Sequence, residues 1–232
     1  MAEATESALE LRQDPQPPAP PAGSLRSRVI DSAVVCLARH GTLKTTVDDV
    51  ARQAGVSRAT VYRAFPGGRD EVLHAVVETE AARLFAAVGA KLSGEKDLSS
   101  ALVAGIVEAS TRIREHPAVR YLVAHEPGTI LGHLAFDEAD RILATSSRRA
   151  APFLTAWMGP DEAERVAEWA TRIVLTYAIS PSTGTDLTEP AATTRLVETF
   201  VMPGIRALNG AEPESSSTNN GPHTSRSKGR RR

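Results

Sequence analysis

The sequence lacks the residue patterns of disulfide-bonded, zinc-binding and membrane proteins. Its 232 residues include a single cysteine, Cys36, so an internal disulfide is excluded and no cysteine cluster is available for zinc. No apolar run approaches the roughly 20 residues that cross a membrane, and the acidic, proline-rich N-terminus is unlike a signal peptide. We therefore expect a soluble cytoplasmic protein with no membrane partner. Cys36 lies in an apolar helical run and is expected to be buried and inert, with redox sensing as the alternative.

Sequence motifs for catalysis are also lacking. There is no glycine-rich phosphate loop, no nucleophile motif and no metal-ligand spacing, and the six histidines are scattered along the chain. His125 and His133 fall in different predicted helices, with a Pro-Gly break between them, so they do not predict a metal site. We expect no enzyme, no cofactor and no metal; an enzyme that happens to carry a helix pair is the weakest alternative.

The alternating apolar pattern of β-strands is absent too, and helical periodicity runs through most of the chain, which predicts an all-α fold. Proline and glycine clusters separate the predicted helices. Two short helices are expected within residues 46–65. The others are expected over residues 24–40, 69–92, 98–115, 118–125, 129–158, 161–179 and 189–208. Pro203-Gly204 should bend or split the last one.

The small net charge of −1 hides an uneven distribution along the chain. Residues 24–70 carry a net charge of +4, whereas residues 71–210 carry −5. A basic N-terminal part attached to an acidic body is typical of a phosphate-binding module joined to a second function. Ordinary scatter of surface charge is the alternative for so small an imbalance.

Residues 46–65 have the pattern of a helix, a tight turn and a second helix. Thr46 opens a capping-box pattern, Gly55 can adopt the positive φ that ends the first helix, and Ser57 can cap the second. Val61 is placed to anchor the second helix against the first. This spacing favours a helix-turn-helix, whose second helix enters the DNA major groove; a plain αα-hairpin has the same spacing.

The same residues resemble the N-terminal domain of TetR/AcrR-type transcriptional regulators, and the likeness extends over about residues 24–77. The resemblance is carried by Thr45-Thr46-Val47, Val50-Ala51, Ala54-Gly55-Val56-Ser57, Thr60-Val61-Tyr62 and the run Phe65-Pro66-Gly67-Gly68-Arg69-Asp70-Glu71-Val72-Leu73. Members usually have a lysine shortly after the phenylalanine, so Arg69 is expected to take its place as a phosphate contact.

This resemblance implies a two-domain all-α architecture. An N-terminal three-helix helix-turn-helix DNA-binding domain would span residues 24–83, with its motif at 46–65. A helical ligand-binding and dimerisation domain would span 84–208. A disordered N-terminal arm, 1–23, and a disordered basic tail, 209–232, would flank them.

DNA contacts are expected from the exposed start of the second helix and from its surroundings. Arg58 can donate to guanine, whereas Ala59 and Thr60 can touch a thymine methyl or an edge acceptor. Tyr62 and Arg63 should reach phosphates, and the helix N-terminus at Thr45 and Thr46 attracts phosphate through its backbone N–H groups. Arg26 is a backbone contact by resemblance, with a solvated charge as the alternative. The full set is Arg26, Thr45, Thr46, Val47, Ser57, Arg58, Ala59, Thr60, Tyr62, Arg63 and Arg69.

The body is expected to supply dimerisation and ligand sensing. In the family, the last two helices form a four-helix bundle with a partner, which makes Trp169, Ile173, Leu196 and Phe200 candidate interface residues; intrachain core is the alternative for each. A pocket among the middle helices could use Tyr121, His125, Phe136 and Trp157, which are also plausible as plain core. The many aliphatic residues favour an apolar or acyl ligand.

The resulting hypothesis is a homodimeric transcriptional repressor that binds a palindromic DNA operator and is released by a small-molecule effector. A constitutive or architectural DNA-binding protein without a ligand is the alternative.

Overall fold

The computed structural model describes Pro21 and residues 23–128, 137–181 and 184–210. Nearly all of the N-terminal arm, the tail beyond residue 210, His133 and Phe136 lie outside the described residues. Within the described ranges the protein is all-α, without β-strands, as the sequence predicts. None of the helices in this part of the chain is long and apolar enough to cross a membrane.

In the described ranges, the N-terminal part contributes four α-helices and the rest of the chain contributes six. The first four are α1 (Leu25–Lys44), α2 (Val47–Ala54), α3 (Arg58–Ala64) and the long α4 (Gly68–Leu92). They are followed by α5 (Leu98–Glu115), α6 (Pro117–His125), α7 (Asp137–Ala150), α8 (Pro160–Ile179), α9 (Pro190–Leu196) and α10 (Met202–Gly210). A 3-10 turn, Ala151–Phe153, follows α7, and a π-helical turn, Val197–Val201, joins α9 to α10.

Two separate hydrophobic cores stabilise these helices. The first is centred on Val29, Val61 and Phe65, all inaccessible to solvent, and it holds α1, α2 and α3 together. The second core lies among α5, the 3-10 turn and α8 to α10. Helix α4 belongs to both, with Val76 in the first core and Val88 in the second. A displacement of the C-terminal core can therefore reach the N-terminal domain along one continuous helix.

Two predicted helix boundaries require correction, and the predicted break in the last helix is confirmed. Helix α1 continues past the expected end at His40 to Lys44, but Gly41 interrupts its geometry with φ 77° and ψ −176°. The predicted helix over 129–158 is too long, because α7 ends at Ala150 and a 3-10 turn follows. The last helix is interrupted just before Pro203, which has no N–H to donate to the previous turn. Here the N–H of Met202 instead donates to the carbonyl of Val197, which makes a π-turn.

Candidate nucleic-acid interface

The turn between α2 and α3 forms as the local sequence predicts. The Thr46 hydroxyl accepts from the N–H of Asp49 at 3.2 Å, and the Asp49 carboxylate accepts from the N–H of Thr46 at 3.2 Å. These hydrogen bonds complete a capping box. The Thr46 hydroxyl also donates to the Asp49 carboxylate at 2.6 Å, and this hydrogen bond, followed by the one from the Thr46 N–H, lowers the pKa of Asp49. Gly55 ends α2 in the left-handed region, with φ 67° and ψ 34°. Ser57 then caps α3 by accepting from the N–H of Thr60 at 3.1 Å.

Helix α3 is anchored on one side and open on the other. Val61 and Phe65 are inaccessible to solvent and belong to the N-terminal core. The opposite side carries the predicted DNA contacts, of which Ser57, Arg58, Ala59, Tyr62 and Arg63 are exposed and Thr60 is half-buried. The rest of the described chain leaves this side uncovered, as groove binding requires.

Arg58 is oriented before any ligand arrives. Its Nη1 lies 3.2 Å from Oδ2 of Asp48 on α2, and its Nη2 donates to the Tyr62 hydroxyl at 3.4 Å. The guanidinium also lies over the Tyr62 ring, with 5.4 Å to the ring centroid. The Tyr62 hydrogen bond and then the Asp48 charge raise the pKa of Arg58. Asp48 was not predicted to act here, although its place in the first turn of α2 is visible in the sequence.

Arg63 and Thr60 on α3 are also held by hydrogen bonds to nearby side chains. Nη2 of Arg63 donates to the Thr60 hydroxyl at 3.1 Å, and that hydroxyl lies 2.8 Å from the Ser57 hydroxyl. These contacts give the start of α3 a defined polar surface. They also reduce the rotamer entropy that the side chains lose on binding.

For two of the predicted contacts, Thr45 and Val47, only the backbone N–H groups can take part. Thr45 is only 2% exposed, and its hydroxyl donates to the Gly41 carbonyl at 2.6 Å. Val47 is buried in the N-terminal core. Neither side chain can reach a phosphate, because both are buried where α1 connects to α2. Their N–H groups at the start of α2 remain compatible with a phosphate contact.

Two of the arginines expected at phosphates, Arg69 and Arg26, are engaged within the chain. Nε of Arg69 donates to the carbonyl of Thr45 at 2.9 Å, and its Nη2 donates to the carbonyl of Thr42. Arg26 donates to the carbonyl of Ala64 and lies 4.1 Å above the centroid of the Phe65 ring. Both side chains therefore fix the helix-turn-helix to its neighbours. The phosphate contacts of Arg69 and Arg26 stay predictions, and both arginines also have a structural role.

A hydrogen-bonded contact joins the end of α1 to the residue that follows α6, and the sequence did not predict it. The carboxylate of Glu126, just after α6, accepts from the N–H of Thr42 at 3.2 Å and from its hydroxyl. A Cβ on Gly41 would overlap this carboxylate and would lie 2.7 Å from Cε1 of Tyr121. The close approach of α6 to α1 therefore needs a glycine. Gly41 was predicted only as a helix end.

The predicted ligand-binding residues are only partly brought together. Tyr121 and His125 stack on α6, with ring centroids 4.4 Å apart. Both line an open cleft of about 690 Å³ between α5, α6 and the C-terminal end of α8. Trp157 instead packs against the C-terminal core and is not among the cleft residues, so this cleft does not support its predicted ligand role.

Further cleft residues lie where the sequence gave no signal. Ser110 and Ile113 come from α5, and Tyr177 from α8. At the margin, Arg114 donates to both carboxylate oxygens of Asp186, at 2.8 and 3.1 Å. The hydroxyl and N–H of Thr188, and then Arg114, lower the pKa of Asp186 to about 2.

The four candidate dimer residues differ in their exposure. Trp169, Ile173 and Leu196 are partly buried against the C-terminal core. Phe200 is 74% exposed on the π-turn. A large aromatic side chain in water is costly, so Phe200 is the candidate with the strongest need for a partner. The structure contains one chain, and all four interface roles remain predictions.

Comparisons with known proteins agree with this geometry. The family described as "Bacterial regulatory proteins, tetR family" matches residues 29–76, which span α1 to the first part of α4. The HTH-type transcriptional regulator BetI of Agrobacterium fabrum is 29% identical over 164 residues, covering 64% of this chain and 72% of BetI. An uncharacterised HTH-type regulator of Mycobacterium tuberculosis is 27% identical over 187 residues, covering 79% and 87%.

Solved structures show the same fold beyond the N-terminal domain. The TetR family repressor AlkX from Dietzia sp. strain DQ12-45-1b, implicated in the biodegradation of n-alkanes, has a TM-score of 0.59 and 22% identity, covering 78% of this chain and 97% of AlkX. The fatty acid degradation regulator FadR of Bacillus halodurans has a TM-score of 0.53 and 16% identity, covering 75% and 98%. These relatives are regulators, not enzymes. The N-terminal part of the chain thus matches the tetR family of bacterial regulatory proteins, and the relatives that share more of its length are HTH-type transcriptional regulators.

Proposed function

We propose that the protein is a homodimeric repressor that binds a palindromic operator and leaves it when a small ligand binds the C-terminal domain. The observation that carries the proposal is the open side of α3, where Arg58 is held in place by Asp48 and Tyr62. Such a protein acts on the chromosome, and we therefore expect it in the bacterial cytoplasm at the nucleoid.

Sequence reading is assigned to the first turns of α3. Arg58 donates to guanine O6 and N7, and Ala59 and Thr60 contact neighbouring base edges or a thymine methyl. Tyr62 and Arg63 contact phosphates, while Thr46 and Ser57 present helix N-termini to the backbone.

Two-fold symmetry follows from the way helix-turn-helix proteins read DNA. A single α3 reads only a few base pairs, and two copies about 34 Å apart read two half-sites one helical turn apart. We assign the dimer contact to the outer faces of α8 and of the segment from α9 to α10, with Phe200 at its centre and Trp169, Ile173 and Leu196 beside it. The 74% exposure of Phe200 supports this assignment.

Ligand response is assigned to the cleft that α6 lines. The same helix carries Tyr121 on its cleft side and is followed by Glu126, which holds Thr42 beside the N-terminus of α2. A ligand that binds better when α6 is displaced lowers the affinity for DNA by its differential affinity, typically about 1–3 kcal/mol.

The test is a selection of bound duplexes from random DNA by the full-length chain, with the stoichiometry measured on the enriched duplex. We expect enrichment of a two-fold symmetric sequence that binds two chains. Enrichment of an asymmetric site by a single chain would contradict the dimer, and failure to enrich any sequence would contradict specific DNA binding.

A further inference from the structure

We propose that the cleft between α5, α6 and the end of α8 binds a neutral, mainly apolar molecule through one oxygen atom that hydrogen-bonds to the hydroxyl of Ser110. This inference rests on the proposed ligand response and names the chemical class of the ligand. Neither the resemblance nor the predicted pocket residues pointed to Ser110.

The size and lining of the cleft suit a small organic molecule. Its volume of about 690 Å³ lies within the range of about 300–1,000 Å³ usual for such sites. The less exposed part of the lining includes apolar side chains, with Val174 and Leu187 buried and Ile113 and Tyr177 partly buried. An apolar ligand body would displace water from this surface.

Among the lining residues in the described ranges, Ser110 has a buried polar atom without a partner. The residue is 9% exposed, and its Oγ is the single buried side-chain nitrogen or oxygen in the described chain with no hydrogen bond. Other helical hydroxyls in these ranges are satisfied by the preceding turn: Ser147 donates to the carbonyl of Ala144 and Thr171 to that of Ala167. A buried hydroxyl without a partner costs stability, and a ligand oxygen would remove this cost.

The charges around the cleft favour a neutral ligand over an ionic one. Both carboxylate oxygens of Asp186 already accept from Nη1 of Arg114, so an ionic ligand head would have to compete with this existing ion pair. Arg120 lines the cleft but is exposed, and an ion pair formed there in water gains little. At the less exposed part of the lining, one hydroxyl could not repay the desolvation of a carboxylate or an ammonium group.

The position of the cleft explains how a bound ligand would change the affinity for DNA. Tyr121 and His125 form one wall, and Glu126 follows directly on the chain. Because the Glu126 carboxylate accepts from Thr42, a shift of α6 would displace the end of α1 and, with it, the start of α2.

The probes are three molecules with the same ten-carbon chain and different head groups: 1-decanol, decanoate and decyltrimethylammonium. Binding to the full-length chain is measured by isothermal titration calorimetry, below the concentration at which each probe self-associates. We expect 1-decanol to bind more tightly than both ionic probes. Tighter binding of decanoate or of the ammonium, or no binding of 1-decanol, would overturn the proposal.

Ser110→Ala tests the anchor, and Ser147→Ala is its matched control. Removing the unpartnered hydroxyl should raise the thermal midpoint of the free protein by about 2–4 °C, and it should weaken 1-decanol binding about fivefold. Ser147→Ala removes a satisfied helical hydroxyl outside the cleft and should leave 1-decanol binding unchanged. Equal 1-decanol affinities for Ser110→Ala and the unsubstituted protein would overturn the assignment of Ser110.

The two levels of the proposal fail separately. Calorimetry needs no DNA, so its result does not depend on the operator. If 1-decanol binds through Ser110 but leaves the operator complex intact, the ligand class stands and the release mechanism fails. If decanoate alone binds and releases the operator, the ligand response stands and the proposed ligand class is overturned.

Discussion

Replacing Gly41 by alanine should damage the contact between the two domains. The backbone at this position has φ 77° and ψ −176°, a region that is essentially restricted to glycine, and forcing another residue into it costs about 1–3 kcal/mol. The added Cβ would also overlap the Glu126 carboxylate and lie 2.7 Å from Tyr121 Cε1. Relieving this overlap costs about 1–3 kcal/mol more. The expected loss in the free energy of unfolding is therefore about 2–6 kcal/mol.

Gly55→Ala provides the matched control for this prediction. Gly55 also has positive φ, 67°, but a Cβ there would meet nothing within 4 Å, so only the backbone cost of about 1–2 kcal/mol applies. Urea unfolding of both variants, followed by circular dichroism, measures the difference. If Gly41→Ala costs no more than Gly55→Ala, the close approach of α6 to α1 does not constrain the fold as argued.

Three further substitutions test separate parts of the account. Asp48→Asn frees Arg58 and removes a negative charge near the DNA, so binding to random DNA should strengthen and the salt dependence should steepen by about one unit; an unchanged affinity for random DNA with an unchanged salt dependence would contradict this. Arg69→Ala should lower the free energy of unfolding by about 1–3 kcal/mol, because two backbone carbonyls lose their donor, and weaken binding to all duplexes alike; weaker binding at unchanged stability in urea would assign Arg69 to phosphate instead. Phe200→Lys should yield a folded monomer in sedimentation velocity, and a persistent dimer would exclude Phe200 from the interface.

The sequence predicted the parts of the fold that depend on local interactions. Thr46, Gly55 and Ser57 act within a few residues of their own positions, through caps and a left-handed turn, so their roles follow from spacing alone. The anchoring of α3 by Val61 is equally local, because only one of its faces is apolar. Because Val61 faces the core, the opposite side of α3 is expected to be exposed.

The sequence could not predict the contacts between segments that are distant in the chain. Arg69 was expected at a phosphate because its position in the motif suggested one, but it donates to carbonyls 24 and 27 residues earlier. Glu126 is 84 residues from Thr42, and no pattern in the sequence joins them. Thr45 and Val47 were expected at the DNA from their place at a helix start, whereas burial of their side chains depends on tertiary packing.

The residues that line the cleft could not be predicted from residue types, because the lining also depends on segments that are distant in the chain. Aromatic residues were chosen as candidate ligand contacts, yet Trp157 packs in the core and only Tyr121 and His125 reach the cleft. Ser110 has an ordinary sequence context. Its interest lies in a missing hydrogen bond, which becomes visible only when every neighbour is known.

The most direct test of DNA reading by α3 compares Arg58→Ala with Arg63→Ala in selections from random duplexes. Both are exposed arginines on the same helix, but Arg58 is assigned to a base and Arg63 to a phosphate. We expect Arg58→Ala to relax the preference at one base pair in each half-site, at a cost of about 1–3 kcal/mol in discrimination. Arg63→Ala should weaken all duplexes uniformly and keep the selected sequence. Identical sequence preferences in the unsubstituted protein and Arg58→Ala would contradict the assignment of base reading to Arg58.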